Sequence, residues 1–196
     1  MTPDELAALA QGELADVRDP APVLERETVF EGRVWNVRRD TVSFGDGQLV
    51  REYLEHTGAV GVLAVDDDDR VLLINQYRQP IGERDWELPA GLLDVPGEDP
   101  LVAAQRELAE EADLVAADWT PLVAFHPSPG GSDEVIHVFC ARGLSAAPHP
   151  HERTDEEAQI VVRWVPRAEL LEAALGGRLR NGPLLLAVLA AHARGI

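Results

Sequence analysis

The feature that most constrains this chain is a helix that carries three glutamates on one face. Asp99-Pro100 supplies an N-cap and a first helical residue, and apolar side chains then recur at helical spacing. Glu107, Glu110 and Glu111 stand at i, i+3 and i+4, so their carboxylates share one face. Like charges at this spacing repel by a few tenths of a kcal/mol a pair, and a bound divalent cation would reverse that effect. Taken alone, the pattern also fits an ordinary solvated helix face.

Strands and helices alternate along the chain around this helix. Apolar runs at 59–65 and 71–77 predict two buried strands, joined by a solvated turn at 66–69. The stretch 86–91 is interpreted as a loop that leads towards the helix. The remaining elements are predicted as strands at 119–126, 134–142 and 158–165, a loop at 145–157, and helices at 167–175 and 183–193. This mixture predicts an α/β domain with helices on both faces of a mixed sheet.

The first part of the chain has a different pattern. A short helix is expected at 2–12, and β-branched and aromatic residues then predict strand at 28–44 and 48–56. The glycines of Gly45-Asp46-Gly47 indicate a hairpin turn between the two runs. Two parts are therefore predicted, a β-rich unit at 1–57 and an α/β domain at 58–196.

Charge and cysteine content limit the partners and the compartment. The formal net charge of −18 argues against nucleic acid or an anionic membrane as a partner, because both are bound by basic patches. No stretch of about 18 apolar residues is present, and the N-terminus lacks the pattern of a signal peptide. Cys140 is the only cysteine, so no intrachain disulfide can form. We therefore expect a cytoplasmic protein with a small-molecule ligand.

The spacing around the acidic helix resembles the Nudix box. Gly91 is followed by six residues, Glu98, seven residues and then Arg106-Glu107-Leu108-Ala109-Glu110-Glu111, with Leu114 shortly after. The family pattern has one residue fewer in the first spacer. It also has a glycine where Asp113 stands, at a position where the helix ends in a left-handed turn. The resemblance implies a Nudix-type α/β/α sandwich with a mixed sheet, preceded here by the small β-rich unit.

Flanking motifs resemble the ADP-ribose pyrophosphatase branch of that family. They are Gln76-Tyr77-Arg78, the stretch from Trp86 to Asp94, and Ser128–Glu134 with Pro129. The resemblance covers roughly residues 25–185 and implies Mg²⁺-dependent hydrolysis of ADP-ribose to AMP and ribose 5-phosphate, with Mn²⁺ as the alternative ion. Two other functions stay open: hydrolysis of another nucleoside-diphosphate sugar such as a GDP-sugar, and non-catalytic sensing of ADP-ribose. The complete set of glutamates argues against a sensor, which does not need a metal-binding face.

The same resemblance implies which residues hold the metal. Glu107 and Glu111 would be the principal ligands, the backbone carbonyl of Ala90 a further one, and Glu110 a ligand or a supporting residue. Glu98 would help to hold Arg106 in the catalytic centre. Metal ions in such a site polarise phosphoryl oxygens and lower the pKa of a bound water, which attacks phosphorus.

Substrate contacts follow from the resemblance as well. Arg51 and Arg78 would contact the pyrophosphate or the terminal ribose, since guanidinium groups suit phosphate geometry. Glu87 would bond to a hydroxyl of the substrate, Trp35 would stack on adenine, and Pro129 would line the site. Each of these side chains can also be explained as an ordinary surface or core residue of its strand or loop.

The general base and the oligomeric state complete the expectations. The acidic loop at 145–157 precedes the last strand, and the resemblance implies that it supplies the base. Loop spacing leaves Glu156 and Glu157 as alternatives, with Glu156 preferred. A homodimer is expected, because in the resembling branch such an N-terminal unit packs across a two-fold axis and helps to build the partner's adenosine site.

Overall fold

The structure is a computed structural model that describes residues 5, 8, 10, 12–149, 151 and 159–196. The helix predicted at 2–12 falls largely outside these residues, and Glu156 and Glu157 fall wholly outside them. The chain divides into two compact units, Met1–Glu55 and His56–Ile196. Among the described residues, none of the helices has both the length and the apolar character that crossing a bilayer requires.

The N-terminal unit is a three-stranded antiparallel sheet in the order β1-β2-β3. Its strands are β1 (Val23–Glu31), β2 (Asn36–Phe44) and β3 (Gly47–Glu55). The prediction of continuous strand at 28–44 is wrong, because the chain turns between β1 and β2, where the Gly32 N–H donates to the Trp35 carbonyl at 3.1 Å. A side chain at Gly32 would clash with that carbonyl. The hairpin turn predicted at 45–47 is confirmed, with Gly45 at a φ of 57°.

In its described residues, the C-terminal unit contains two sheets and three helices. The strands are β4 (Ala59–Ala64), β5 (Arg70–Arg78), β6 (Glu83–Glu87), β7 (Ala90–Leu92), β8 (Leu114–Phe125), β9 (Ile136–Ala146) and β10 (Val161–Pro166). The helices are α1 (Pro100–Ala112), α2 (Arg167–Leu175) and α3 (Gly182–Arg194). One sheet has the order β7-β4-β9-β8 and is mixed, because β4 runs parallel to β9 and antiparallel to β7. The other has the order β10-β5-β6.

Strand alternation separates two apolar layers in this unit. Along β4, Val60 and Val62 pack in the cluster that contains Leu108 of α1, whereas Leu63 packs in the cluster that contains Leu184 of α3. Strands β5 and β9 divide their side chains between the same two clusters. Because successive side chains of a strand point to opposite faces, helices cover both faces of the sheets. The expected α/β/α sandwich with a mixed sheet is confirmed.

Several element boundaries differ from the sequence prediction, and two of them bear on the acidic helix. The stretch 86–91, predicted as a loop, contains the end of β6 and the start of β7, because Trp86 pairs with Asn75 of β5 and Ala90 pairs with Gly61 of β4. Strand β8 begins at Leu114, five residues before the predicted 119. The chain therefore passes from α1 into β8 with only Asp113 between them.

Candidate active site

Helix α1 is fixed at both ends by the residues that the sequence places there. The Asp99 carboxylate accepts a hydrogen bond from the Leu101 N–H at 2.8 Å, which is the N-cap predicted with Pro100. Asp113 ends the helix in the left-handed conformation, with φ 55° and ψ 34°. Its N–H donates to the Ala109 and Leu108 carbonyls. Asp113 thus adopts the conformation that the glycine of the family pattern would adopt.

Strand β7 lies directly against the acidic face of α1. The Ala90 N–H donates to Glu111 Oε2 at 2.7 Å. A Cβ atom on Gly91 would lie 2.0 Å from the carboxyl carbon of Glu107, so any other residue there would displace this side chain. Glu107 and Glu111 are both buried, at 9% and 6% exposure. Two carboxylates are therefore held in the interior beside one short strand.

Arg106 connects three acidic side chains of this region. Its Nη2 lies 3.1 Å from Glu98 Oε2, and its Nη1 lies 2.5 Å from Glu107 Oε1 and 3.2 Å from Glu110 Oε2. The hydrogen bond with Glu98 is the main cause that raises the pKa of the Arg106 guanidinium above its usual range. The contact that the resemblance implies between Glu98 and Arg106 is present. One fixed cation thus partly offsets a cluster of negative charge.

The Glu107 carboxyl is poised to accept more positive charge. Burial raises its pKa above the usual range, and Glu110 and Asp94 act in the same direction, whereas Arg106 lowers it. Among the described residues, no three His, Cys, Asp or Glu side chains lie close enough to hold a metal by themselves. A divalent cation fits the hard carboxylate oxygens of Glu107 and Glu111, because Mg²⁺ commonly takes a few protein carboxylates and completes its coordination with water and substrate phosphates.

Arg78 and Glu87 form a pair that the sequence prediction did not include. Arg78 Nε donates to Glu87 Oε1 at 2.8 Å, and Arg78 Nη2 donates to Glu87 Oε2 at 2.7 Å. Gln76 Nε2 donates to the same Oε2 at 3.3 Å. Strand alternation was the available signal, since Gln76 and Arg78 share a face of β5 and Glu87 lies on the adjacent strand β6. The two residues predicted as separate substrate contacts are therefore joined to each other.

The other predicted substrate residues lie on exposed positions. Pro129 is exposed in a turn in which the Ser128 carbonyl accepts from the N–H groups of Gly131 and Ser132, each at 3.0 Å. Arg51 and Trp35 belong to the N-terminal unit, and both are exposed there.

A buried acidic helix face, a strand built around it and helices on both sides of the sheets define a Nudix-type hydrolase domain. The NUDIX domain family model matches residues 55–187, and the chain belongs to that family. An ADP-ribose pyrophosphatase of Mycobacterium tuberculosis is 43% identical over 87% of this chain and 82% of the relative. An ADP-ribose pyrophosphatase of Bacillus subtilis is 38% identical over 68% of this chain and 72% of the relative. The crystal structure of an ADP compounds hydrolase superposes with a TM-score of 0.75 over 92% of this chain and 96% of that chain; at 22% identity it supports the fold alone.

Proposed function

We propose that this protein hydrolyses the pyrophosphate of ADP-ribose to give AMP and ribose 5-phosphate, with Mg²⁺ as the metal ion. The observation that carries the proposal is the packing of β7 on α1, which holds the Glu107 and Glu111 carboxylates in the interior against the same short strand. The two relatives named ADP-ribose pyrophosphatase support the choice of substrate.

Glu107 and Glu111 would hold the metal, with the Ala90 carbonyl and Glu110 as further candidates. A bound divalent ion supplies neutralising charge for the pyrophosphate and polarises its phosphoryl oxygens. Arg106 keeps Glu107 and Glu110 in place through the ion pairs described above. Glu98 holds the same guanidinium from its other side.

The remaining roles are proposed on the resemblance. Glu156, or Glu157 one position on, accepts the proton of the attacking water. Arg51 and Arg78 contact the pyrophosphate or the terminal ribose of the substrate, Trp35 stacks on adenine, and Pro129 lines the site. In this proposal a carboxylate accepts the proton of the attacking water, and guanidinium groups bind the negative charge of the substrate.

We also propose that the N-terminal unit forms the contact of a homodimer. A three-stranded sheet needs a covered face to be stable, yet large apolar side chains are exposed on this unit. They include Val23, Leu24, Phe30, Val34, Trp35, Phe44 and Val50. A second copy of the chain is the occupant that the resemblance implies, and light scattering at assay concentration should give twice the chain mass. We propose the cytoplasm as its compartment, because a chain with a single cysteine forms no intrachain disulfide and fits a reducing environment.

A substrate panel tests the proposed activity. Purified protein is incubated with excess Mg²⁺ and either ADP-ribose or GDP-mannose, and the release of AMP or GMP is measured. We expect rapid release of AMP from ADP-ribose, abolished by EDTA and restored by added Mg²⁺. Intact ADP-ribose beside cleaved GDP-mannose would contradict the substrate assignment while keeping the reaction class.

A further inference from the structure

We propose that Glu87 is a positioning residue, which orients Arg78 towards an anionic group of the substrate and does not itself touch the substrate. The inference rests on the proposed function, because it deepens the role given there to Arg78. It assigns to Glu87 a task different from the hydroxyl contact expected from the sequence.

Glu87 uses both of its carboxylate oxygens in hydrogen bonds to neighbouring side chains. Both of its carboxylate oxygens accept from Arg78, at 2.8 Å and 2.7 Å, and Oε2 also accepts from Gln76 at 3.3 Å. Such a two-pronged contact fixes the plane of the guanidinium as well as its distance. A carboxylate used in this way has its oxygens directed at the arginine, so its main effect on a ligand passes through that arginine.

The two members of the pair differ in how far they are buried. Glu87 is only 3% exposed, whereas 45% of the Arg78 side chain is exposed. The guanidinium is therefore held by a buried carboxylate, while nearly half of the Arg78 side chain can be reached from solvent. A substrate anion that arrives from solvent would meet Arg78, with Glu87 behind it.

The place of the pair in the fold links it to the acidic helix. Gln76 and Arg78 continue the stripe of Leu72 along β5, and Leu72 packs in the apolar cluster beneath α1. From Glu87 the chain runs through only three residues to Gly91, passing Ala90, which bonds to Glu111. Glu87, which holds Arg78, and Ala90, which bonds to Glu111, thus belong to one short segment.

A double-mutant cycle in the full-length protein tests the proposal. Glu87→Gln, Arg78→Ala and the double variant are compared for ADP-ribose hydrolysis at saturating Mg²⁺. We expect Glu87→Gln to raise KM about tenfold, a change of about 1.4 kcal/mol in binding free energy, because the guanidinium loses a charged partner that fixes its plane. Its kcat and the Mg²⁺ concentration for half-maximal rate should stay within about twofold of wild type.

The double variant gives the deciding result. If Glu87 acts through Arg78, the double variant has the KM of Arg78→Ala with no further increase. Glu87→Gln should also raise the melting temperature of Arg78→Ala, because it neutralises a buried carboxylate that has lost its partner. If Glu87 had a purely structural role, Glu87→Gln would lower the melting temperature both of wild type and of Arg78→Ala.

Two control variants keep the test interpretable. Glu169→Gln removes a carboxylate from the surface of α2, where it pairs with Arg163 away from the β5–β6 pair, and should leave KM unchanged. Glu87→Asp keeps the buried charge but withdraws the oxygens from Arg78, so it should raise KM even if the glutamine variant folds poorly.

Each other outcome overturns the inference. A KM of the double variant that is the product of the two single effects would show that Glu87 contacts the substrate independently. A wild-type KM in both Glu87→Gln and Glu87→Asp would show that the pair does not position Arg78 for binding. Turnover of ADP-ribose by the wild type is scored separately and reports on the proposed function itself.

Discussion

The Glu111 carboxylate is tied to strand β7 by a 2.7 Å hydrogen bond from the backbone N–H of Ala90. This bond joins the last turn of α1 to the strand that also makes room for Glu107. It places an acidic side chain, which would otherwise avoid the interior, at a fixed position beside the backbone. The attachment of the helix to the strand therefore holds the acidic face of α1 in place.

Glu111→Gln should reduce ADP-ribose turnover to less than about a tenth of wild type, a barrier increase of at least roughly 1.4 kcal/mol. The amide oxygen of glutamine can still accept from the Ala90 N–H, so the fold and its melting temperature should change little. The loss would come from the missing negative charge at the metal. AMP release and thermal unfolding measured on the same preparation check both parts, and retained activity would remove Glu111 from the metal site.

Gly91→Ala should displace the Glu107 side chain, because its methyl group would occupy the position of the carboxyl. We expect a stability loss of about 1–3 kcal/mol from overpacking, together with weaker Mg²⁺ activation. Gly182→Ala is the matched control, since a methyl group there meets open space at the first residue of α3. Denaturant unfolding and Mg²⁺ titration of activity compare the two, and equal effects would contradict the steric argument.

Glu107→Gln should change how the stability of the metal-free protein depends on pH. Burial raises the pKa of Glu107, so the folded protein holds this proton at higher pH than the unfolded chain. The resulting stabilisation is present below the pKa of the unfolded chain and is lost as pH rises through the pKa of the folded state. In EDTA, the free energy of unfolding of Glu107→Gln should therefore rise relative to that of wild type as the pH is raised from about 4 to about 7.

Denaturant unfolding at the two pH values measures this difference. Added Mg²⁺ at neutral pH should then stabilise wild type more than Glu107→Gln. A variant that loses stability relative to wild type as the pH rises would have the wrong sign and would contradict the assigned pKa shift.

Asp113 should have two separable effects, one on the helix end and one on the segment that follows β9. Its Oδ1 accepts from the His151 N–H at 3.0 Å, and its left-handed backbone suits glycine better than alanine. Asp113→Gly should be about 1 kcal/mol more stable than Asp113→Ala. Both variants should lose hydrogen-exchange protection at the His151 amide, whereas Asp113→Asn should keep it. Unchanged protection in the glycine variant would show that the side chain does not anchor this residue.

Glu156→Gln should lower kcat by roughly 10²–10⁴-fold, the range for loss of a general base, with KM and Mg²⁺ affinity little changed. Glu157→Gln is the neighbouring control and should be mild. Steady-state kinetics of the two variants decides between them. Reversed effects would move the base by one residue, and two near-normal variants would remove it from this loop.

Local patterns were sufficient to predict much of the fold. The N-cap at Asp99 and the apolar stripe of α1 are confirmed, because both depend on residues within a few positions of each other. The same holds for α2, whose observed bounds of Arg167–Leu175 are the predicted ones. The family could be recognised from the spacing of charged residues around α1 alone.

Contacts across the chain were beyond such patterns. The pair of Arg78 and Glu87 depends on the register of β5 and β6, which the sequence prediction lacked after treating 86–91 as a loop. The bond from His151 to Asp113 joins residues that are 38 positions apart. The bend at Gly32 was hidden inside a run of β-branched and aromatic residues, where only the glycine itself indicated it.

The segment from Glu87 to Gly91 differs from the loop that follows it in how much length variation it should tolerate. One end holds Arg78 and the other accommodates Glu107, so a single inserted or deleted residue would put one of these contacts out of register. The loop before Asp99 is held only near its ends, where the Leu93 N–H donates to the Gly58 carbonyl and Glu98 pairs with Arg106, and Gly97 between them has open space around it. Insertions and deletions among descendants of this chain should therefore accumulate between β7 and α1, as the longer first spacer of its Nudix box already indicates, while the distance from Glu87 to Gly91 stays constant.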